Sequence, residues 1–404
     1  MDKPELLSPA GSLEKLKTAF LFGADAVYAG VPDFSLRARI NNFNYETIKE
    51  GAEYAHKLGK KLYATVNVFP FDEDLKKVKK TIEKYREANV DAIIISDPGI
   101  LRIIKEVDSK IPLHLSTQAN CANSEAAKFW HEQGVSRIII AREVSLENIG
   151  LIHEKVPEVE LECFVHGAMC VSYSGRCILS KLFANRSANR GWCSQPCRWA
   201  YDIKPKDEFG DNVEIEQDQN GTYILNSKDL CLINYLDQLK DAGIKSFKIE
   251  GRTKSAYYVA GITKLYRQAI DNNCEKINGS DIELEKFMNR GYTSGFLFSE
   301  EQCEHNFQES HKICNWQFVG EVAESNKDEI NVKIHNELFI GDEVEIVVPQ
   351  GDNIKLKINN IKDAESGDIL QEAHGGQEKI VKINIGYNIG QSVVIGSVMR
   401  KKRV

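Results

Sequence analysis

Gly23-Ala24-Asp25-Ala26-Val27-Tyr28-Ala29-Gly30 is a nearly continuous apolar run held between two glycines. A strand of this kind is buried on both faces, as strands are in a parallel sheet covered by helices. Close copies of it recur as Val90-Asp91-Ala92-Ile93-Ile94-Ile95-Ser96, as Gly134-Val135-Ser136-Arg137-Ile138-Ile139-Ile140 and as Gly243-Ile244-Lys245-Ser246-Phe247-Lys248-Ile249-Glu250. In each copy a helix ends at a small residue and the strand begins. Glu5-Leu6-Leu7 opens the series and Ser8-Pro9-Ala10-Gly11 is its turn. Ser12 is placed to cap the next helix, whose Leu13, Leu16, Ala19 and Phe20 fall at helical spacing.

Residues 61–68, 112–117 and 159–165 supply the remaining strands of this type, with amphipathic helices over 45–58, 72–88, 124–133 and 146–155. That makes eight strands by Ile249, with a helix from Asp229 leading into the eighth and a last long helix over 254–272. Eight β/α units predict a TIM-type (β/α)8 barrel of the α/β class rather than an open doubly wound sheet. No Gly-x-Gly-x-x-Gly follows the first strand, which argues further against a dinucleotide fold. After Phe298 the pattern changes to short alternating strands at 318–322, 329–334, 342–347, 353–361, 379–383 and 392–399. These predict a small all-β barrel, a recognition or structural module with no cysteine and one proline. The expected division is a barrel domain over 1–310, carrying a cysteine-rich insertion at about 168–230, and a β-domain over 315–404. Within the insertion, 199–203 and 222–225 are expected to pair as a hairpin around a polar, mobile tip at 204–221.

The chain has 404 residues and a formal net charge of -7, so it carries no global basic signature for nucleic acid. Local basic groups exist: Arg186, Arg190 and Arg198 flank the cysteines, and Lys401, Lys402 and Arg403 lie near the last residue. The first residues lack the charged start and apolar core of a signal peptide. No run approaches the roughly 18 apolar residues that cross a membrane. The expectation is a soluble, cytoplasmic protein with no membrane partner.

Barrel chemistry sits at the C-terminal ends of the strands. The polar residues there are Ser8, Asn67, Ser96, Gln118, Arg142 with Glu143, His166, and Glu250 with Arg252. Five of the ten cysteines fall between Glu162 and Arg198. Thiols gathered in a reducing compartment are more often metal ligands than disulfides. Cys121, Cys163, Cys274, Cys303 and Cys314 fit the role of small buried hydrophobes. Cys170, Cys177, Cys193 and Cys197 lie in an irregular, Gly-rich segment where Gly167, Gly175 and Gly191 let the backbone curve around a bound group. Cys231 is a rival to Cys197 for the fourth position. Zinc ribbons usually show two tight Cys-x-x-Cys knuckles, and none is present. The wide spacing suits an iron–sulfur cluster better. A thiol protease is a second reading, with His166 activating Cys170; Gly-x-Ser-x-Gly and His-Glu-x-x-His are both absent.

Glu162-x-Phe164-x-x-Gly167-Ala168-Met169-Cys170, continuing through Gly175-x-Cys177-x-Leu179-Ser180, resembles the signature of the collagenase-like peptidase family U32. Pro4-Glu5-Leu6-Leu7-Ser8-Pro9-Ala10-Gly11, Asn226-Ser227-Lys228-Asp229-Leu230 and Lys248-Ile249-Glu250-Gly251-Arg252 extend the likeness over essentially the whole chain. The resemblance implies two functions. Some members are described as collagenases or secreted proteases, with no agreed nucleophile. Others are oxygen-independent hydroxylation proteins with a four-cysteine [4Fe–4S] cluster, acting on tRNA, ribosomal RNA or ubiquinone precursors. The spacing is most similar to the tRNA branch, which forms 5-hydroxyuridine at the wobble position and draws on prephenate. By that likeness Cys170, Cys177, Cys193 and Cys197 hold the cluster. Arg142, Glu143, His166, Glu250 and Arg252 are the candidates to hold the base or a small anionic co-substrate. Arginine suits a dicarboxylate such as prephenate because its planar fork binds a carboxylate through two bonds. Arg186, Arg190 and Arg198 are candidates for tRNA phosphates. A homo-oligomer and a non-catalytic partner in a hydroxylation complex are further readings that the sequence leaves open.

Overall fold

The computed structural model describes residues 3–36, 42–201, 225–298, 304–306, 314–326, 328–376, 379–386 and 393–403. In chain order the first domain runs β1 (Glu5–Pro9), α1 (Leu13–Leu21), β2 (Ala26–Ala29), α2 (Tyr45–Lys57), β3 (Lys61–Val66), α3 (Asp72–Glu87) and β4 (Ala92–Ile95). It continues α4 (Pro98–Val107), β5 (Leu113–Leu115), α5 (Ser124–Glu132), β6 (Arg137–Ile139), α6 (Leu146–Lys155) and β7 (Glu160–Ala168). After a crossing segment with a short helix α7 (Leu179–Ala184) come β8 (Asp229–Cys231), α8 (Leu236–Asp241), β9 (Ile244–Ile249), α9 (Ala256–Asp271), α10 (Ser280–Leu284) and β10 (Tyr292–Thr293).

Strands β1 to β7 pair in sequence order, all parallel, and β9 pairs in parallel with both β7 and β1. The sheet therefore closes into the expected eight-stranded barrel. Its apolar strands supply the core, with Leu6, Val27, Leu62, Ile93, Leu115, Ile138, Leu161 and Phe247 all buried. Helix starts are fixed locally. Ser12 accepts the Lys15 amide at 3.3 Å, and Asn44 forms a reciprocal capping box with Thr47 at the start of α2.

The barrel axis is not wholly apolar. Glu162, fully buried on β7, accepts Lys248 Nζ at 2.6 Å and Arg137 Nη1 at 3.3 Å. Arg137 also pairs with Glu5, which accepts Tyr63 Oη at 2.7 Å and Ser246 Oγ at 3.0 Å. Each charge in this chain meets an opposite one, the condition for placing ions in a low-dielectric interior.

Two expectations are corrected. Asp229-Leu230-Cys231 is a strand, not the start of a helix: β8 lies antiparallel to the end of β7. Asp229 is pinned by buried Arg290 at 2.6 Å, which favours an extended segment there. The last strand of the second domain starts at Val398 rather than 392, because Gly396 takes a left-handed turn with φ +87° first. The predicted hairpin and its polar tip lie almost wholly outside the described residues, as does Cys303.

The second domain is an antiparallel half-barrel. Its strands are β11 (Trp316–Ser325), β12 (Glu329–Ile334), β13 (Leu338–Phe339), β14 (Glu343–Val347), β15 (Ile354–Lys357), β16 (Ile361–Asp363), β17 (Ile369–Leu370), β18 (Glu372–Ala373), β19 (Ile380–Asn384) and β20 (Val398–Lys402). Val319, Val332, Ile346, Ile361 and Met399 lie in its own core. The domain is joined to the barrel through Arg400, which is fully buried. Its Nε donates to Glu345 at 2.8 Å, and its Nη2 lies 2.6 Å from Glu283 of α10. Tyr257 of α9 stacks on Phe318 at 5.7 Å between ring centres.

Candidate active site at the mouth of the barrel

Strand β7 is nine residues long and overshoots the barrel rim. At its end Gly167 adopts φ +111°, and a Cβ there would sit 2.4 Å from the Glu250 carbonyl oxygen. Only glycine lets β7 and the β9 end approach so closely. Beyond it the chain crosses the mouth of the barrel. Ser174, Gly175, Gly191 and Gln195 all take positive φ, between 49° and 90°, so the crossing segment folds back on itself repeatedly. The crossing is stitched to its surroundings. Ser174 donates its amide to Glu143 at 2.7 Å and its hydroxyl to Asn120 at 2.6 Å, and the Phe69 amide donates to the Asn189 carbonyl at 3.2 Å.

Under this segment lies a cavity lined by Cys170, Cys177, Cys193 and Cys197 on one side. Strand-end and strand-interior residues form the other: Asn67, Gln118, Arg142, Lys248, Glu250 and Arg252. All four thiols are free. The Leu179 amide donates to Cys177 Sγ and the Gln195 amide to Cys193 Sγ, each at 3.4 Å, while Ser180 Oγ lies 3.6 Å from Cys193 Sγ. Burial pushes the Cys197 thiol up to about 11, with Cys170 and Cys193 adding to the rise and Arg198 opposing it. Four soft sulfur donors facing one cavity are the donor type that an iron–sulfur group takes. Among the described residues, no three of His, Cys, Asp and Glu close around a single-ion position. The four thiols are associated by lining one cavity.

The polar wall is set for anions. Arg142 lies over the Phe164 ring at 4.2 Å and donates to the Ala168 carbonyl at 3.1 Å. Its buried Nε has no hydrogen-bond partner among the described residues, and neither has Gln118 Oε1. Arg252 is held by the Ser35 hydroxyl, the Leu36 carbonyl and Thr65 Oγ1, the last at 3.2 Å. Lys248, anchored from below by Glu162, presents its ammonium 4.4 Å from the centre of the Tyr28 ring, and burial lowers its pKa. Glu250 Oε2 accepts Tyr28 Oη at 3.4 Å.

The candidates from the sequence thus separate. Arg142, Glu250, Arg252, Asn67 and Gln118 line the cavity with the four cysteines. His166 does not: the pairing of β7 with β9 shifts register between Phe164 and His166, which turns the ring away. It packs instead among Tyr258, Tyr266 and Tyr292, with Nδ1 3.3 Å from Tyr266 Oη. Burial lowers its pKa to about 3, so it is neutral. Glu143 is occupied in holding Ser174, a positioning role. Ser8 bonds Thr263 at 2.9 Å and Ser96 the Asn67 carbonyl at 3.4 Å. Cys231 Sγ lies 3.8 Å from Tyr266 Oη and is not on the cavity wall, whereas Cys197 is. Of the basic groups, Arg190 pairs with Asp74 at 2.8 Å and Lys401 with Asp342 at 2.8 Å. Lys248 and Tyr28 were missed. Their signal was present, since Ser246, Lys248 and Glu250 alternate along β9 and so share its inner face.

A (β/α)8 barrel whose mouth is crossed by a four-cysteine segment over a cation-lined cavity defines the class. The chain belongs to peptidase family U32: the model of that family matches residues 11–307, and the model of the Peptidase family U32 C-terminal domain matches 314–400. It is 40% identical to tRNA hydroxylation protein P of Escherichia coli (strain K12), over 93% of this chain and 92% of that protein. It is 38% identical to tRNA hydroxylation protein P1 of Bacillus subtilis (strain 168), over 99% and 95%. A collagenase of Porphyromonas gingivalis (strain ATCC BAA-308 / W83) is 34% identical over 89% of this chain and 90% of that protein. Among the described residues no helix is long and apolar enough to cross a membrane.

Proposed function

We propose that this protein hydroxylates RNA, and that its substrate is a tRNA wobble uridine converted to 5-hydroxyuridine in the cytoplasm. The observation that carries the reading is the convergence of four free thiols and four charged side chains, Arg142, Lys248, Glu250 and Arg252, on one cavity at the catalytic end of the barrel. The names of the relatives support the same chemistry. Cys170, Cys177, Cys193 and Cys197 would hold a [4Fe–4S] cluster, which when bound would supply an electron-transfer or Lewis-acid centre. Exchange of the uridine C5 hydrogen for hydroxyl is a two-electron oxidation and needs an oxygen donor. Prephenate, the co-substrate the resemblance implies, is a dicarboxylate. Arg142, with its unpartnered Nε, and Lys248 are placed to take its carboxylates. Asn67 and Gln118 offer the amide groups that hydrogen-bond a base edge.

The peptidase reading finds no support in the site. His166 is directed to Tyr266 and not to a cysteine, and it is neutral. The thiols that a nucleophile would require are the same four that line the cavity together.

The first measurement is iron and acid-labile sulfide in protein purified without oxygen, where about four of each per chain is expected. Nucleoside mass spectrometry of tRNA from a deletion strain should then show 5-hydroxyuridine derivatives lost, and restored by the wild-type chain but not by Cys170→Ala. Full persistence of the nucleoside in a strain without a paralogue rejects the reading.

A further inference from the structure

Between Cys163 and Tyr201 there is no aspartate or glutamate, yet Arg176, Lys181, Arg186, Arg190 and Arg198 all fall there, on a chain of net charge -7. The same segment carries Tyr173, Ile178, Leu182, Phe183, Trp192 and Trp199 exposed to solvent. Two of the four tryptophans of the chain are among them, 55% and 40% exposed. An apolar surface left open on this scale marks a contact site. A cationic field around it points to an anionic partner and discourages a second copy of the same face, which would set like charges together.

Trp192 and Trp199 bracket the wall of the cavity, because Cys193, Gln195, Pro196, Cys197 and Arg198 between them line it. Arg186 and Lys181 of the same segment are exposed as well. Aromatic faces interleaved with cations fit one polymer above others: nucleic acid with unpaired bases, whose phosphates meet the cations while the bases stack. A duplex keeps its bases stacked on each other and offers none to a tryptophan, nor can one of its bases enter a cavity without leaving the stack.

We infer that the outer face of the cysteine segment is a stacking platform for an unpaired RNA loop. Trp192 takes a base, Arg186 and Lys181 take phosphates, and the platform delivers a neighbouring nucleotide to the cavity. The inference rests on the RNA-hydroxylation reading and is separable from it by experiment.

The test uses the full chain with its metal content verified. The probes are an unmodified anticodon stem–loop RNA and a fully paired duplex of the same composition. The stem–loop is expected to quench tryptophan emission and the duplex to leave it unchanged. Trp192→Ala should weaken stem–loop binding by about tenfold or more. Trp192→Tyr should keep most of the affinity, and Arg186→Glu should flatten its salt dependence. Phe129→Ala, an exposed aromatic on α5, should change nothing. Equal binding of the duplex, or wild-type affinity in Trp192→Ala, overturns the platform. So does a dimer that Trp192→Ala dissociates and RNA does not, since the face would then be a protein interface. In cells, full 5-hydroxyuridine with Trp192→Ala but none with Cys170→Ala sinks the platform and keeps the hydroxylation reading. Stem–loop binding that needs Trp192, with no nucleoside change on deletion, does the reverse.

Discussion

Lys248 shows how one side chain serves both the interior and the site. Its ammonium is 2.6 Å from fully buried Glu162, and its other side faces the cavity. Removing one partner of a buried ion pair costs about 3–5 kcal/mol when the other is left alone. Arg137 still reaches Glu162 at 3.3 Å, so Lys248→Met is expected to lose about 3 kcal/mol in urea unfolding. Arg142→Met, on the cavity wall, should cost less than about 1 kcal/mol and instead raise the KM for the proposed dicarboxylate co-substrate. Equal destabilisation by both variants would deny the division of labour. The four cysteines were legible because their spacing fits no packed core. Lys248 was overlooked although its alternation with Ser246 and Glu250 carried the signal, because a lysine inside an apolar run looks like a solvent-facing residue until closure of the barrel turns that face inward.

Among the elements, β7 governs the site. Its overshoot depends on Gly167, where φ is +111° and a Cβ would strike the Glu250 backbone. Gly167→Ala should therefore destabilise by about 2 kcal/mol or more and shift the β9 end that carries Glu250 and Arg252. Gly150 of α6 is the control: nothing lies within 4 Å of its Cβ position and its φ is not positive. Gly150→Ala should stabilise by about 0.4–1 kcal/mol, with thermal melts reading both. All eight barrel strands were legible from apolar runs between small residues. Strand β8 was not, because three residues fixed by the Asp229–Arg290 pair carry no periodicity. The departure of His166 came from a register shift, which no local pattern encodes.

Across the whole molecule, two of the joints between the domains have opposite electrostatic character. At one, Arg400 is met by the carboxylates of Glu345 and Glu283. At the other, Glu321 of β11 faces Glu14 of α1. Burial, then a hydrogen bond to Glu14, raises the Glu321 carboxyl to about 8, so it holds a proton at neutral pH. A folded-state pKa above the unfolded value of 4.5 gives stability that is fully present below pH 4.5 and lost as pH rises through 8. Glu321→Gln keeps a donor for Glu14 without the ionisation. The unfolding free energy of the variant should fall less than that of the wild type between about pH 5 and 8, by up to about 1.4 kcal/mol per pH unit. Parallel curves would remove the shared proton from this joint.

The order of the chain adds a timetable to this architecture. The segment with Cys170, Cys177, Cys193 and Cys197 is synthesised before β9, the strand that closes the barrel between β7 and β1. At about 5–20 residues per second, several seconds pass between the last of these cysteines and the closing strand. The wall that faces the thiols, Lys248 with Glu250 and Arg252, is carried by β9 and its end, so it can meet them only once that strand pairs with β7 and β1. The cavity that both walls line is thus a product of the last step of barrel closure.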